Sequence, residues 1–292
     1  MQNSSSSVFI IIPVYNRREI TLKCLNILKG NGDLDKYHVV VVDDGSIDGT
    51  SQAIAEKYPQ IIILQGDGNL WWAGAIRMGM EYACKKGAEY IIWLNDDCFP
   101  KQGTINTLLF LCNQNHNLMI GSQCIDPETT EPSYAGISTK RKFFKTLNCP
   151  PKSVIKCDAL NGNLVCFHKK IVDKIGYPDS QKLPHHLADF VYTNNAFKKN
   201  FELVIHGDAI SFCSKNPINV SWLYSKKSFK EHWQGLFLKK SPSYWKIQVT
   251  AYRLVFGNIG ILYYFYHGFL KFLIIYFILR PLPVNIKRIL KS

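Results

Sequence analysis

Two short apolar runs that each end on adjacent aspartates constrain the fold of this chain more than any other feature. The runs are residues 39–42 and 90–94, and the aspartate pairs are at 43–44 and 96–97. Continuous apolar runs of this length are typical of strands buried on both faces of a parallel sheet. The carboxyl ends of such strands are where open α/β sheets bind ligands. Because Mg²⁺ and Mn²⁺ prefer hard oxygen ligands, the two pairs predict a site for a nucleoside diphosphate and a divalent cation.

The alternation of apolar runs with helically spaced segments predicts an α/β domain. A β-α-β-α-β-α-β order implies right-handed crossovers and a parallel sheet covered by helices on both faces. Residues 126–153 are rich in proline and predict loops, with short antiparallel strands among them. The predicted strands are residues 8–13, 39–42, 61–64, 90–94, 119–123, 160–168 and 201–205, and the predicted helices are residues 18–28, 50–58, 73–86, 104–112 and 186–199.

The length allows one large α/β domain and an appendage. The chain has 292 residues, of which 47% are hydrophobic, and this is enough to bury a sizeable core. We predict a catalytic domain at 1–215, with a nucleotide-binding half at 8–100 and an acceptor half at 101–215. Residues 216–292 then form a basic, aromatic and apolar C-terminal region.

The charge and the C-terminal segment indicate an anionic surface as partner. The net charge is +13, with lysine pairs scattered after residue 139 and no motif of a nucleic-acid-binding protein, so we expect no nucleic-acid partner. Residues 255–279 are long enough to span a membrane, but their aromatic content and the basic tail at 287–291 favour a helix lying on the cytoplasmic face. A true span and a buried core or homodimer helix are the alternatives.

The cysteines and the N-terminus predict a cytoplasmic protein. Nine cysteines occur without regular spacing and without a CxxC motif, which is unlike a zinc site or a disulfide framework. We expect free thiols in a reducing compartment. Residues 1–7 are polar and precede a strand, so they do not form a signal peptide.

Four segments resemble a known family when taken together. Residues 10–16 (IIIPVYN), 42–50 (VDDGSIDGT), 68–75 (GNLWWAGA) and 94–97 (LNDD) occur in the order and spacing of the family 2 glycosyltransferases, most closely the rhamnosyltransferase-like branch. The resemblance covers roughly residues 8–215. It implies the GT-A fold of nucleotide-diphospho-sugar transferases, which has a Rossmann-like, mostly parallel sheet with helices on both faces. The C-terminal helical extension is added to it.

The resemblance also implies which residues bind the donor. Asp44 is expected to accept a hydrogen bond from the imide of the base, a task that suits an ionised carboxylate. A turn with helix capping is the alternative for Asp43 and Asp44, an exposed helix position for Arg77, and core packing for one of the two tryptophans. The implied donor-binding residues are Pro13, Tyr15, Asn16, Asp43, Asp44, Asn69, Trp71, Trp72, Gly74, Arg77, Asn95, Asp96, Asn161 and Gly162.

Asn95, Asp96 and Asp97 stand where the family has its DxD metal motif. The resemblance implies that Asp97 binds Mn²⁺ or Mg²⁺ directly and that Asp96 contacts the ribose or a metal-bound water. Many relatives add a histidine further along the chain, and here Cys213 holds that position, with His206 nearby. The third ligand therefore stays open, because cysteine is a poor ligand for hard Mg²⁺.

Asp189 is the candidate general base. The family usually has an acidic pair near the start of a helix, and its second carboxylate takes the proton of the acceptor hydroxyl. Here Ala188 replaces the first acid and Asp189 keeps the second position. The alternative is a carboxylate that only interacts with the helix dipole.

These features predict an inverting, metal-assisted glycosyltransferase. It would move one sugar from a dTDP- or UDP-sugar, with dTDP-rhamnose among the candidates, to a lipid-linked or surface-glycan acceptor. The alternative is a membrane-tethered, non-catalytic scaffold with a degenerate site, which Ala188 and Cys213 favour. The first strand is not followed by GxGxxG, which argues against a dehydrogenase.

Overall fold

The computed structural model describes residues 7–139, 145–215, 228–239 and 241–282. The chain divides into two compact units, Met1–Lys215 and Asn216–Ser292, and each is described by itself. Most of the polar N-terminal stretch, residues 1–6, and the basic tail at 287–291 lie outside the described residues.

The first unit is an α/β domain in which strands and helices alternate. Its strands are β1 (Val8–Val14), β2 (His38–Asp43), β3 (Ile62–Gln65), β4 (Tyr90–Leu94), β5 (Phe99–Pro100), β6 (Leu118–Ile125), β7 (Gly136–Ser138), β8 (Lys145–Thr146), β9 (Val154–Lys156), β10 (Ala159–Leu160), β11 (Leu164–His168) and β12 (Glu202–Phe212). Its helices are α1 (Arg18–Gly30), α2 (Thr50–Lys57), α3 (Trp71–Lys85), α4 (Thr104–Gln114), α5 (Lys170–Ile175) and α6 (Ala188–Lys198).

Within the described residues, nine strands form one mostly parallel sheet in the order β3-β2-β1-β4-β11-β6-β12-β5, with β9 paired to β12. β3, β2, β1 and β4 run parallel to one another, and β6 and β12 are parallel neighbours. β11 lies antiparallel between β4 and β6. The order β10-β7-β8 forms a separate antiparallel sheet, in the region predicted to be mostly loops.

Both faces of the large sheet are buried, as the continuous apolar runs predict. Along β1, Ile10 and Ile12 face one layer, which contains α1, α2 and α4. Phe9 and Ile11 face the other layer, which contains α3, α5 and α6. Burial of each such side chain contributes about 1.5–3 kcal/mol. A Cβ on Gly79 of α3 would lie 2.4 Å from Cγ2 of Ile11, so glycine permits the close approach of α3 to β1.

Two predicted strands differ from the structure in their bounds. The single strand expected at 160–168 is divided into β10 and β11 because the turn at 161–163 separates them. The strand expected at 201–205 continues to Phe212, since its register against β6 shifts between His206 and Ile210 and pairing then resumes. The short helix α5 was not predicted.

The second unit is helical and apolar. It contains α7 (Phe229–Gly235), α8 (Trp245–Phe256), α9 (Ile259–Tyr264), α10 (Lys271–Ile274) and π-helical turns at Phe265–Leu270 and Ile275–Leu279. Ser228 and Glu231 form a capping box at the start of α7. The predicted apolar helix is present, and among the described residues Ile259–Leu279 is the one helix long and apolar enough to cross a membrane. Its most apolar window is 25% buried.

Candidate active site

The loops that follow β1 to β4 meet at one edge of the sheet, because these strands are parallel neighbours. Asn16, just past β1, adopts the left-handed conformation with φ 50°. Its side-chain Oδ1 accepts a hydrogen bond from the backbone N–H of Ile47, and its own N–H donates to Oγ of Ser46. The loops after β1 and β2 are therefore bonded to each other. Pro13 and Tyr15 lie in the same stretch, and Tyr15 is exposed.

Asp43 stabilises the loop after β2 through hydrogen bonds. It is buried, and it accepts hydrogen bonds from the backbone N–H of Ser46 and from the hydroxyl of Ser51. The bond from Ser46 is that of a turn, as in the alternative that the sequence left open for this residue, but Asp43 does not cap α2.

Asp44 holds the loop that leads into α3. Its Oδ1 accepts the backbone N–H groups of Gly68 at 2.9 Å and Leu70 at 3.1 Å, and its Oδ2 accepts that of Trp71 at 2.8 Å. A carboxylate has about four lone-pair sites, so three amides leave one for a ligand. Because Asp44 binds the amides before the first turn of α3, it fixes the position of both tryptophans.

The two tryptophans have different surroundings. The indole N–H of Trp72 donates to Oδ1 of Asn95 at 2.9 Å, and its ring meets that of Trp93 edge-on. Trp71, with φ 57°, turns its ring towards His185, and the two ring centroids are 5.7 Å apart. Trp72 is thus packed against the end of β4, while Trp71 is next to the segment that leads into α6.

Arg17 lies between the two carboxylates after β4. Its Nη1 is 2.9 Å from Oδ1 of Asp96, and its Nη2 is 2.9 Å from Oδ2 of Asp97. Oδ2 of Asp96 accepts a further hydrogen bond from Oγ1 of Thr21 at 3.0 Å. Burial raises the pKa of Asp96 to about 6, while the charge of Arg17 acts in the opposite direction. Sequence reasoning missed Arg17, and a basic residue just past β1, beside a strand that ends on two acids, is the signal that points to it.

Asp189 lies in the first turn of α6, as predicted, and its contacts connect it to Trp72. Its Oδ2 accepts the backbone N–H of Gly162 at 2.7 Å. A Cβ on Gly162 would lie 2.6 Å from Cζ2 of Trp72 and 2.9 Å from Cβ of Asp189. Burial raises the pKa of Asp189, and the Gly162 hydrogen bond opposes the rise. These contacts connect Asp189 to Asn95 through Trp72.

The segment before α6 is tied to α3 through the backbone. The N–H of Ala73 donates to the carbonyl of Pro184 at 2.9 Å, and Leu187 adopts the left-handed conformation with φ 65°. This bond brings His185, beside Trp71, to the same region as Asp189.

Four predicted donor residues have other contacts. Arg77 pairs with Glu81 at 2.8 Å on an exposed part of α3, which is the alternative weighed for it. The N–H of Asn69 donates to the side chain of Asp67. Gly74 packs on Leu70, and the N–H of Asn161 donates to the carbonyl of Ala135.

Comparison with known proteins decides the family. The model of glycosyl transferase family 2 matches residues 9–170, more than half of the chain and all four motif segments. The chain belongs to glycosyl transferase family 2. The matched range runs from β1 into α5, so it contains Arg17, Asp44 and the acidic pair at 96–97.

Two named glycosyltransferases are similar to this chain over much of their length. Glycosyltransferase AglE of Haloferax volcanii is 34% identical over 224 residues, covering 74% of this chain and 70% of AglE. Galactofuranosyltransferase GlfT1 of Mycobacterium tuberculosis is 25% identical over 181 residues, covering 60% of each chain. This chain is therefore a glycosyltransferase by family.

Solved structures share the fold. GalNAc-T7 with UDP, GalNAc and Mn²⁺ has a TM-score of 0.67 at 11% identity, covering 99% of this chain and 55% of that one. Mannosyltransferase PcManGT from Pyrobaculum calidifontis, in complex with GDP-Man and Mn²⁺, has a TM-score of 0.54 at 14% identity, covering 91% of this chain and 76% of the other. The predicted GT-A fold is confirmed.

The acidic pair of this family 2 chain suits a hard divalent cation. Asp96 and Asp97 already hold one cationic group between them, the guanidinium of Arg17. Within the described ranges, no group of three or more His, Cys, Asp or Glu side chains is placed to hold a metal ion. Two carboxylates fit Mg²⁺ or Mn²⁺ when substrate phosphate and water supply the other oxygens.

The two residues named as a third ligand lie at different places: His206 is within β12, and Cys213 directly follows its last residue, Phe212. Asn163, next to the end of β4, donates its Nδ2 to Sγ of Cys213 at 3.0 Å, so Cys213 is near the acidic pair. His206 precedes the register shift and accepts from the N–H of Asp208. The partners of His206 and Phe212 on β6 are three residues apart. His206 is therefore separated by roughly 10 Å of strand from Phe212, the residue before Cys213.

Proposed function

We propose that this chain is an inverting glycosyltransferase that moves one sugar from a nucleotide-diphosphate donor to a lipid-linked or surface-glycan acceptor. The observation that carries the proposal is the contact path from Asp189 through Gly162 and Trp72 to Asn95. It places a carboxylate with a raised pKa beside the strand end that bears the acidic pair. Inverting transfer needs a base on the acceptor side and charge neutralisation on the diphosphate side.

Asp189 is the proposed base. A carboxyl group whose pKa is raised by burial binds a proton more strongly than an exposed one, so it is a better acceptor for the proton of the acceptor hydroxyl. The N–H of Gly162 donates to Oδ2 and orients the group, and the carboxylate is proposed to receive the proton as the acceptor oxygen attacks the anomeric carbon.

Asp97 is proposed to hold Mn²⁺ or Mg²⁺, with the less exposed Asp96 next to it. Asp96 is 3% exposed and Asp97 37%, so Asp97 is the more accessible of the two. The cation would neutralise charge that develops on the leaving diphosphate. Cys213 is near this pair, and water or substrate oxygen is the better third ligand for a hard ion.

Asp44 is proposed to recognise the base with its remaining lone-pair site, while the loop it holds borders the donor. The donor is proposed to be a dTDP- or UDP-sugar. The motif resemblance favours rhamnose, whereas the name of GlfT1 points to galactofuranose. A thermal-shift screen of dTDP-rhamnose and UDP-galactofuranose, each with Mn²⁺ or Mg²⁺, distinguishes the two donors, because a ligand that binds the native state raises its stability.

The acceptor is proposed to be lipid-linked because the second unit presents an apolar surface. Leu262, Phe265 and Phe277 are 67%, 61% and 67% exposed on the apolar helix. Exposed apolar patches on a basic chain fit a peripheral position on an anionic membrane surface. We place the protein on the cytoplasmic face.

The decisive experiment measures donor hydrolysis and sugar transfer for the wild type, Asp97→Ala and Asp189→Asn. The proposal predicts that both variants fold normally. Each should lose sugar transfer by at least about 100-fold. Transfer by either variant at the wild-type rate would contradict the assigned roles.

A non-catalytic scaffold is the second candidate, and the ion pairs of Arg17 favour it because they occupy the acidic pair. Equal and negligible activity of the wild type and Asp97→Ala, with every nucleotide-sugar of the screen, would support the scaffold.

A further inference from the structure

Arg17 lies between the two carboxylates that are proposed to hold a divalent cation. Its two terminal nitrogens lie 2.9 Å from one oxygen of Asp96 and 2.9 Å from one oxygen of Asp97. The guanidinium bridges two carboxylates with one contact to each, and hydrogen bonds between ionised groups are stronger than those between neutral ones. It sets the positive charge of the side chain against both carboxylates at once.

The backbone holds Arg17 at this position. Asn16 in the left-handed conformation turns the chain at the end of β1, and the carbonyl of Arg17 accepts the N–H of Thr21 in the first turn of α1 at 2.9 Å. The hydroxyl of Thr21 in turn donates to Asp96. The start of α1 and the end of β4 are therefore joined through two side chains, those of Arg17 and Thr21.

The two carboxylates differ in their hydrogen-bond partners and in their exposure to solvent. Both oxygens of Asp96 have partners, Arg17 and Thr21, and the side chain is 3% exposed. Asp97 is 37% exposed, and within the described part of the chain its Oδ1 accepts no hydrogen bond. Arg17 is 42% exposed, so its guanidinium has room to leave the pair while its backbone stays in place.

The charges of the pair indicate what Arg17 does. With Arg17 in place the two carboxylates carry one net negative charge, and without it they carry two. A divalent cation is attracted less by the first arrangement than by the second. A diphosphate bound beside the cation supplies the anion that a displaced guanidinium requires.

We propose that Arg17 is an internal counter-ion that competes with the divalent cation for Asp96 and Asp97, so that the cation binds well only together with a diphosphate. This rests on the proposed function and adds a coupling between its two ligands. In thermodynamic terms, Arg17 lowers the affinity for free cation and raises the cooperativity between cation and diphosphate, and such a coupling is reciprocal.

The test is a titration of the full chain with Mn²⁺ alone, followed by electron paramagnetic resonance of the free ion. Arg17→Gln is expected to tighten the Kd for Mn²⁺ by about tenfold, which is the factor that a change of about 1.4 kcal/mol produces. Adding UDP or dTDP is expected to lower the Kd of the wild type by a larger factor than that of Arg17→Gln.

Two variants control for charge and for structure. Arg18→Gln removes the same charge one residue further on, from a half-exposed side chain that pairs with Glu19, and should leave the Kd unchanged. Arg17→Lys keeps a positive charge beside the acids and should stay near the wild type, whereas a merely structural role would make it resemble Arg17→Gln. Circular dichroism confirms that each variant is folded.

The outcomes separate this inference from the proposed function. An unchanged or weakened Kd in Arg17→Gln, with binding abolished by Asp97→Asn, would overturn the role of Arg17 and leave metal assistance standing. Absence of Mn²⁺ binding in the wild type and in Arg17→Gln alike, with or without diphosphate, would overturn metal assistance and this inference together.

Discussion

The indole N–H of Trp72 donates to the side-chain oxygen of Asn95 at 2.9 Å, and this bond joins the first turn of α3 to the end of β4. The same ring lies against Gly162, whose N–H holds Asp189. The side chain of Trp72 thus connects the end of β4 to the proposed base, and this connection can be tested.

Trp72→Phe keeps one aromatic ring and removes the indole N–H together with the second ring. Oδ1 of Asn95 loses its donor at a half-buried position, so we expect a loss of stability of about 1 kcal/mol. Transfer should fall on the order of tenfold or more, because small displacements of positioned groups are costly. Chemical denaturation and kcat/KM measure the two effects.

Asn95→Ala and the double variant complete a cycle for this bond. If Trp72 acts through Asn95, the double variant is no worse than either single variant. Additive losses would mean that Trp72 acts through its ring contacts instead.

Gly162→Ala should reduce transfer more than stability. The added methyl group would lie 2.6 Å from Trp72 and 2.9 Å from Asp189, so both side chains have to move. We expect a loss of about 1–3 kcal/mol from overpacking and a fall in kcat of about 100-fold. Gly30→Ala is the matched control, because no atom lies within 4 Å of its added Cβ, and its kcat should equal that of the wild type.

Asp189→Asn should stabilise the protein at neutral pH while it abolishes transfer. Burial raises the pKa of Asp189 in the fold, so the folded state binds the proton more strongly than the unfolded state does. The contribution to stability is present below the unfolded pKa of about 3.9 and is lost as the pH rises through the folded pKa. Asparagine, which stays neutral, avoids that loss.

Two measurements check the prediction for Asp189. The Tm of Asp189→Asn should exceed that of the wild type at pH 7, and the difference should vanish in acid. In the wild type, kcat/KM should fall as the pH falls through a value above the ordinary carboxyl pKa. A lower Tm for the variant at pH 7 would contradict the assigned cost of burial.

Asp44→Asn should weaken the loop before α3. Three backbone N–H groups donate to this carboxylate, and an amide offers them a weaker acceptor and an NH₂ group that faces donors. We expect a loss of about 2–3 kcal/mol in the free energy of unfolding, together with weaker nucleotide binding. Asp67→Asn, in the same loop but exposed and bonded to one N–H, should cost less than about 1 kcal/mol.

Membrane association should depend on the exposed apolar side chains of the second unit. Leu262→Glu combined with Phe277→Glu places two negative charges on a surface where both residues are 67% exposed, so folding is little affected while binding to anionic vesicles is lost. Phe110→Glu, at a 62% exposed position of α4, is the control and should sediment like the wild type. Equal sedimentation of all three proteins would contradict a membrane role for Ile259–Leu279.

The fold was largely predictable because its signals are local. Uninterrupted apolar runs indicated β1, β2 and β4, since strands buried on both faces lack alternation. The turn at Gly162 was harder to place, because the apolar residues on its two sides read as one strand. The extension of β12 to Phe212 depends on a register shift against β6, which no local pattern encodes.

The sequence predicted which residues lie at the strand ends around the site, but not which side chains contact one another there. Asp97 and Asp189 follow from motif position, and they stay predictions about chemistry. Arg17 was missed because its ion pairs depend on the parallel register in which Ile11 is paired with Trp93, which brings the end of β1 beside the end of β4. Long-range pairing of this kind is set by tertiary packing rather than by propensity.

The triple amide contact of Asp44 has a consequence for how nucleotide preference can change in this protein. A substitution there would alter the proposed acceptor for the base and the shape of the segment carrying Trp71 in a single step. Variation at neighbouring, less constrained positions such as the exposed Tyr15 is therefore the route by which a new donor can be accommodated while the loop is preserved.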